Sequence, residues 1–275
     1  MGRTTSVFVT AALVALVVTR PARSTTTSAA PLRCSGVKDA DVLVARGRQA
    51  VGSASHKLVS FWARGRTQPV RPTFMPTVVQ FAAIMPDRFV RLSWEMKRPN
   101  IIDVLGFNGS VLLTDVRGPV KRDRGPTTPE DLERTRRAVA TYLMGWFMLP
   151  MPGSRETFRF SGEVVYRGRP AVLLRLVDSP MWLRSLWLDR DSCLPLGIVS
   201  EVAGGARDEP DPGASAPGFV RTELAFLDRR STSGFQAPYR IQTYFRAAGL
   251  SGRVNIEQFE INGKVDADLF RPPAR

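Results

Sequence analysis

The sequence predicts a mainly β fold: a curled antiparallel sheet of about 11–12 strands, an incomplete barrel with helices covering its concave face. Three observations predict it. About twelve short apolar or alternating runs separated by turn residues outnumber two helical stretches, and strands do not alternate with helices, which argues against a parallel βαβ sheet. Twelve strands do not stay flat in one open sheet, so the sheet curls. The second helical stretch is apolar nearly all round in its C-terminal half, which suits a cover for an oily concave face.

The elements follow in order. Asp39–Val51 reads as a helix, with Asp39 and Asp41 at its positive end and Gly52-Ser53 ending it. Strands are expected at Lys57–Arg66, Thr77–Ile84 and Arg88–Met96. In the last, Val90, Leu92, Trp94 and Met96 alternate with Arg91, Ser93 and Glu95, the pattern of a half-buried strand. Ile101–Leu105 and Ser110–Asp115 flank Asn108-Gly109, a hairpin dipeptide. The period then changes. Thr128 caps a helix over residues 129–149 with Pro129 at its first position and Glu130 and Asp131 in its first turn; Leu132, Val139, Tyr142, Leu143 and Trp146 recur at helical spacing. Pro150 and Pro152 stop it. Strands resume at Thr157–Tyr166, Ala171–Val177, Met181–Asp189 and Leu194–Val202, with Arg167-Gly168 and Arg190-Asp191 in tight turns. Residues 203–217 carry turn formers and acids and read as a long exposed loop. Phe219–Asp228, Pro238–Arg246 and Arg253–Ile261 complete the set, followed by a turn at Asn262-Gly263.

Composition excludes much familiar chemistry. A chain of 275 residues with one His and two Cys cannot build a zinc site from His and Cys alone, and a His-based triad would depend on His56. The formal charge of +14 comes mostly from 34 Arg against 5 Lys. These are spread along the chain, densest at Arg117–Arg124. They form no basic helix and no nucleic-acid-binding signature, so no nucleic acid partner is expected. A solvated surface, or contact of an Arg-rich face with anionic lipid, is the reading that remains. Residues 1–30 read as a signal peptide or N-terminal anchor: Arg3 precedes a 12-residue apolar run, Val7–Val18, too short to cross a bilayer. Its removal would take three Arg and no acid, lowering the charge from +14 to +11. Residues 31–37 form a linker and 38–275 one domain. Export to a periplasmic or other envelope compartment would let Cys34 and Cys193 form a disulfide; a lipid anchor on Cys34 is the alternative, though Arg33 stands where a lipoprotein box needs a small residue.

Several stretches, taken in order, resemble the LolA-like superfamily of periplasmic lipoprotein carriers and the outer-membrane lipoprotein-sorting proteins of that fold. They are Ala50-Val51-Gly52 before Lys57–Phe61, Met85–Arg91, Phe107-Asn108-Gly109, Tyr166–Ala171, Leu188–Asp191 with Leu194-Pro195-Leu196, and Ile261-Asn262-Gly263 before Leu269–Pro273. The resemblance spans residues 38–273. It implies a half-barrel lidded by helices whose cavity holds acyl chains of a lipid or lipoprotein in transit. Gly52-Ser53 stands where the family often has a Gly pair, and the stretches 117–128 and 203–217 are longer than a minimal carrier needs.

The candidate lining of such a cavity is Tyr142, Leu143, Trp146, Phe147 and Met148 on the covering helix and Trp94 and Met96 on the sheet. Aromatic and Met side chains bury large area and adapt to irregular ligands. The competing reading of each is ordinary core packing. A buried acyl chain gains about 0.8 kcal/mol per methylene, so shape and apolarity suffice without directional chemistry. The acids near helix starts and hairpins (Asp39, Asp41, Glu130, Asp131, Glu133, Asp189, Asp191) suit capping and turns, and no nucleophile–base pair stands out. The expectation is a monomeric, non-catalytic, cofactor-free carrier or binding protein for lipid or lipoprotein acyl chains. The alternative is an envelope sensor or interaction module that grips an acylated or protein partner.

Overall fold

A computed structural model describes residues 32–68, 75–119, 128–179, 181–203, 219–245 and 249–272. The signal-like segment, most of the basic stretch 117–124 and most of the acidic loop 203–217 lie outside them.

Helix α1 (Ala40–Val51) opens the domain. The Asp39 carboxylate accepts from the backbone N–H of Asp41 and Val42, and Gly52 closes the helix at φ 92°. A Cβ at Gly52 would fall 2.1 Å from the Gly234 carbonyl oxygen, so this left-handed cap must be glycine. Five strands follow as a meander: β1 (Ser60–Gln68), β2 (Thr77–Ile84), β3 (Arg88–Glu95), β4 (Ile102–Asn108) and β5 (Val111–Arg117). Helix α2 (Pro129–Phe147) comes next, and then seven more strands: β6 (Thr157–Tyr166), β7 (Arg169–Asp178), β8 (Leu183–Asp189), β9 (Pro195–Ala203), β10 (Phe219–Thr232), β11 (Phe235–Phe245) and β12 (Gly249–Ile261). A 3-10 turn at Ala267–Phe270 ends the chain's described part.

All twelve strands belong to one antiparallel sheet in the order β5-β4-β3-β2-β1-β12-β11-β10-β9-β8-β7-β6. The only neighbours not consecutive in sequence are β1 and β12, which pair with Phe61 opposite Ile261. The sheet is an incomplete barrel left open between β5 and β6, and α2 lies in the connection between these two edges.

Turn chemistry decides two boundaries differently from the sequence reading. Asn108 pairs with Val111, so the hairpin residues are Gly109-Ser110, with Gly109 at φ 60°; the Asn108 side chain instead donates to the Phe270 carbonyl. Strands β10 and β11 run on to a turn at Ser233-Gly234, both at positive φ, through a polar stretch that reads as loop. Main-chain pairing and the burial of Phe235 and Ala237 hold that extension.

The main core lies between the sheet and the two helices. It joins Leu43 and Val51 of α1 and Val139, Leu143 and Trp146 of α2 to inward residues of both sheet halves. Two smaller clusters lie elsewhere. One joins Val90, Leu92, Val104 and Leu113 to Phe270, and the other joins Tyr166, Ala171, Leu196 and Ala225. Cys34 and Cys193 are bonded, with Cα atoms 5.3 Å apart, and the backbone N–H of Cys34 donates to the Arg190 carbonyl. This ties the segment ahead of α1 to the β8–β9 turn.

Candidate functional site

Helix α2 forms because its ends are well made. The Thr128 hydroxyl accepts from the Asp131 N–H while the Asp131 carboxylate accepts from the Thr128 N–H, a reciprocal cap with Pro129 at the first position. The Thr128 backbone bond is the main force holding the Asp131 carboxyl below its ordinary range. The far end stops at Met148, whose left-handed backbone (φ 56°) turns the chain before Pro150.

Trp146 occupies the centre of the covered interior. It is fully buried and lies 5.3–5.6 Å, ring centre to ring centre, from Phe61, Phe81, Tyr142 and Phe259. Phe147 extends the cluster to Phe235 at 5.7 Å, edge to face. The Trp146 indole N–H meets no acceptor among the described residues, an unsatisfied donor at the heart of an apolar cluster. Leu143, Phe147 and Met148 are fully buried as well, while Tyr142 is half-buried. Toward β2, β3 and β4 lies a gap of about 10 Å³, lined by Ala83, Phe89, Phe107, Val139, Leu143 and Met151, room for at most one water. The helix side chains that the sequence places around a hollow are thus packed against one another and against the sheet.

The structure brings the five helix candidates together and separates the two sheet candidates from them. Trp94 does share a face with Val90 and Leu92, but that face packs against the C-terminal turn at Phe270, away from α2. Its ring is covered by the Arg64 guanidinium at 5.6 Å. Met96 lies just beyond β3 and is about half exposed. Alternation fixes which residues share a face. It does not say which face the helix covers. His56 packs against Phe235 at 5.8 Å between ring centres.

One residue that composition hides is Arg229 of β10. It is half-buried and donates to the carbonyls of Gly145 (2.8 Å) and Trp146 (3.4 Å) at the end of α2, and to those of Gln236 (2.6 Å) and Pro195 (3.0 Å) in the sheet. Burial, helped by the nearby Arg169 charge, pushes its guanidinium down to about 9, so it stays charged at neutral pH. The terminal carbonyls of a helix are its negative end, and a cation there is favourable. Arg229 thus fastens α2 to β9–β11. Along the flanks of the helix, Arg136 donates to the Gly109 carbonyl and lies over Phe107, and Arg137 lies over Trp182 at 4.2 Å. The helix is held to both halves of the open sheet by side chains alone. As one Arg among 34, Arg229 carries no local signal.

Among the described residues, no group of three His, Cys, Asp or Glu is placed to hold a metal ion, and no helix is long and apolar enough to cross a membrane. Neither a protein-family model nor a curated protein matches the chain. Among solved structures the chain is similar to a LolA superfamily protein from Nitrosomonas europaea, at 10% identity over 86% of this chain and 98% of that one, with a TM-score of 0.49. It is similar to an outer membrane lipoprotein-sorting protein domain from Vibrio parahaemolyticus, at 11% identity over 82% and 94%, with a TM-score of 0.46. It is also similar to a DUF1329 family protein from Desulfovibrio piger, at 9% identity over 86% and 98%, with a TM-score of 0.49.

Proposed function

We propose that the protein is an exported, non-catalytic carrier or binding protein for the acyl chains of lipids or lipoproteins, which lie between α2 and the sheet once the helix has shifted. The observation that carries this reading is the way α2 covers the inner face of an open sheet. A twelve-stranded sheet is left open, and α2 rests across its inner face, from β4 and β5 to β8–β11, through apolar packing, flanking arginines and the Arg229 guanidinium. No main-chain ladder has to break for the helix to move. The seal is aromatic and Met-rich (Met144, Met148 and Met151 are all buried), and such side chains repack around an irregular guest. The unsatisfied Trp146 N–H is a cost of the closed state that displacement of the helix would relieve. A chain of a dozen methylenes gains about 10 kcal/mol by burial, enough to offset the loss of part of the helix packing.

The test is uptake of a fluorescent fatty-acyl probe by the purified protein, together with extraction of lipid from protein isolated from the cell envelope. Arg229→Met should speed uptake several-fold by unfastening the helix, and Tyr142→Arg should weaken it by placing a charge at the half-buried edge of the cluster. Wild type and Arg229→Met both dry and inert to the probe would end the carrier reading. A stable protein partner recovered without lipid would favour the sensor alternative.

A further inference from the structure

Strand β3 turns its polar side toward the covered interior. Val90 and Leu92 pack in the cluster around Phe270, while Phe89 belongs to the core shared with α2. Arg91 and Ser93 alternate with Val90 and Leu92, so they point inward with Phe89. The register carries this order across the neighbouring strands. Phe89 lies between Ala83 of β2 and Phe107 of β4; two residues on, Arg91 lies between Phe81 and Leu105; two further, Ser93 lies between Val79 and Asp103. The inner wall thus passes from aromatic to polar within a few residues. A strand that served only to pack a core would turn Val90 and Leu92 inward and Arg91 out. An inward cation is the kind of departure from local pattern that marks a site.

Arg91 is half-buried and its Nε is shut off from solvent. Among the described residues its guanidinium meets no acceptor, no carboxylate and no aromatic face. The other arginines around α2 are occupied. Arg229 donates to four carbonyls, Arg136 to Glu133 and the Gly109 carbonyl, and Arg137 lies over Trp182. The carboxylates on the same face of the sheet leave the Arg91 donors unfilled: Glu95 lies 3.9 Å from Arg98, and Asp103 has a partner other than Arg91. A donor withdrawn from water without an acceptor is a cost to the folded state, and a guest that brings acceptor oxygens removes it. The apolar neighbours are in place for the rest of such a guest. Phe81 lies 5.2 Å from Tyr142 of α2 and Phe89 lies 6.4 Å from Phe107, ring centre to ring centre.

We propose that Arg91 is the headgroup residue of the acyl site: it holds the carboxylate or phosphate oxygens of a guest whose chain lies along Phe81 and Phe89. The inference rests on acyl carriage beneath α2 and adds the class of guest, an amphiphile with acidic oxygens at its polar end. A guanidinium grips such oxygens by paired, charge-assisted hydrogen bonds that an alcohol or an ammonium group does not offer.

Displacement of a fluorescent fatty-acyl probe from the purified protein tests it, at neutral pH, with ten-carbon competitors below their micelle concentrations: decanoate, decyl phosphate, decanol and decyltrimethylammonium. Decanoate or decyl phosphate should displace the probe at least about tenfold more tightly than decanol, and the cation should be weakest. Arg91→Met keeps the apolar stem and leaves no partner stranded, so its circular dichroism and urea midpoint should match wild type. It should reduce the acidic competitors to the level of decanol and leave decanol unchanged. Arg91→Lys should retain the preference for acids. Decanol equal to both acids in wild type, an unchanged preference in Arg91→Met, or equal weakening of acid and alcohol in that variant would overturn the headgroup role and leave the carrier reading standing. Uptake of neither probe nor competitor would end the carrier reading, and this assignment with it. Tighter binding of decyl phosphate would identify a phosphate headgroup, and tighter binding of decanoate a free fatty acid.

Discussion

Asp189 shows how one carboxylate sets a local structure. It is buried, and Oδ1 accepts from the N–H of Asp191 and Ser192 and from the Ser192 hydroxyl, while Oδ2 accepts from Arg169 at 2.6 Å. Burial alone would raise its pKa, but the Ser192, Arg169 and Asp191 contacts outweigh that and hold it below 3.8. A carboxyl depressed in the folded state contributes stability that is complete above its unfolded pKa and is lost as pH falls through the folded one. Asp189→Asn should therefore cost about 1–3 kcal/mol at neutral pH. It should also flatten the acid limb of stability below pH 4, measured by urea unfolding at several pH values. An unchanged acid limb would show that other carboxylates control it. The turn role of this residue is legible in the sequence because Asp-Arg-Asp between two apolar runs is local turn chemistry. Its bond to Arg169 comes from the neighbouring strand and is not legible there.

At the scale of elements, α2 has both a local and a non-local fit. The capping box and the apolar spacing are written in residues 128–147, which is why the start of the helix could be read from Thr128 and Pro129. Its seat on the sheet is written elsewhere. Gly145 is a poor helix former, yet a Cβ there would lie 2.1 Å from the Phe226 ring of β10, so the helix approaches the strand at that point only because no side chain intervenes. Gly145→Ala would stabilise an isolated helix by about 1 kcal/mol. In this protein it should destabilise by about 1–3 kcal/mol, because Phe226 is 1% exposed and has little room to yield. Thermal unfolding of the variant checks the sign. A raised melting temperature would mean the helix sits less tightly on β10 than described. The end of α2 was less legible than its start. The sequence points to Pro150 and Pro152, whereas the helix stops at Phe147 because Met148 already turns left-handed.

The whole molecule depends on contacts made far along the chain. Pairing of β1 with β12 joins two meanders into one sheet, and the bond between Cys34 and Cys193 closes a loop across 159 positions. By chain entropy, a cross-link of that span stabilises the folded state by about 5 kcal/mol. Reduction, or Cys34→Ser with Cys193→Ser, should lower the denaturant midpoint by a large fraction of its value without altering the far-ultraviolet circular dichroism of the folded protein. A midpoint indifferent to reductant would mean that the segment ahead of α1 adds nothing to global stability.

What the sequence by itself determined was the class of fold, the number and order of strands, and the presence of a covering helix with an over-apolar half. These follow from period-two and period-3.6 patterns and from turn residues, all of which act over a few positions. What only the tertiary structure decided was which face of β3 looks toward α2, how deeply Trp146 and Phe147 are buried, that Arg229 fastens the helix, and that Arg167, Glu223 and Trp187 meet on the opposite face. Each of these joins residues brought together by strand pairing and sheet curl. Their spacing in the chain carries no periodic signal, because the distance that matters is across the sheet.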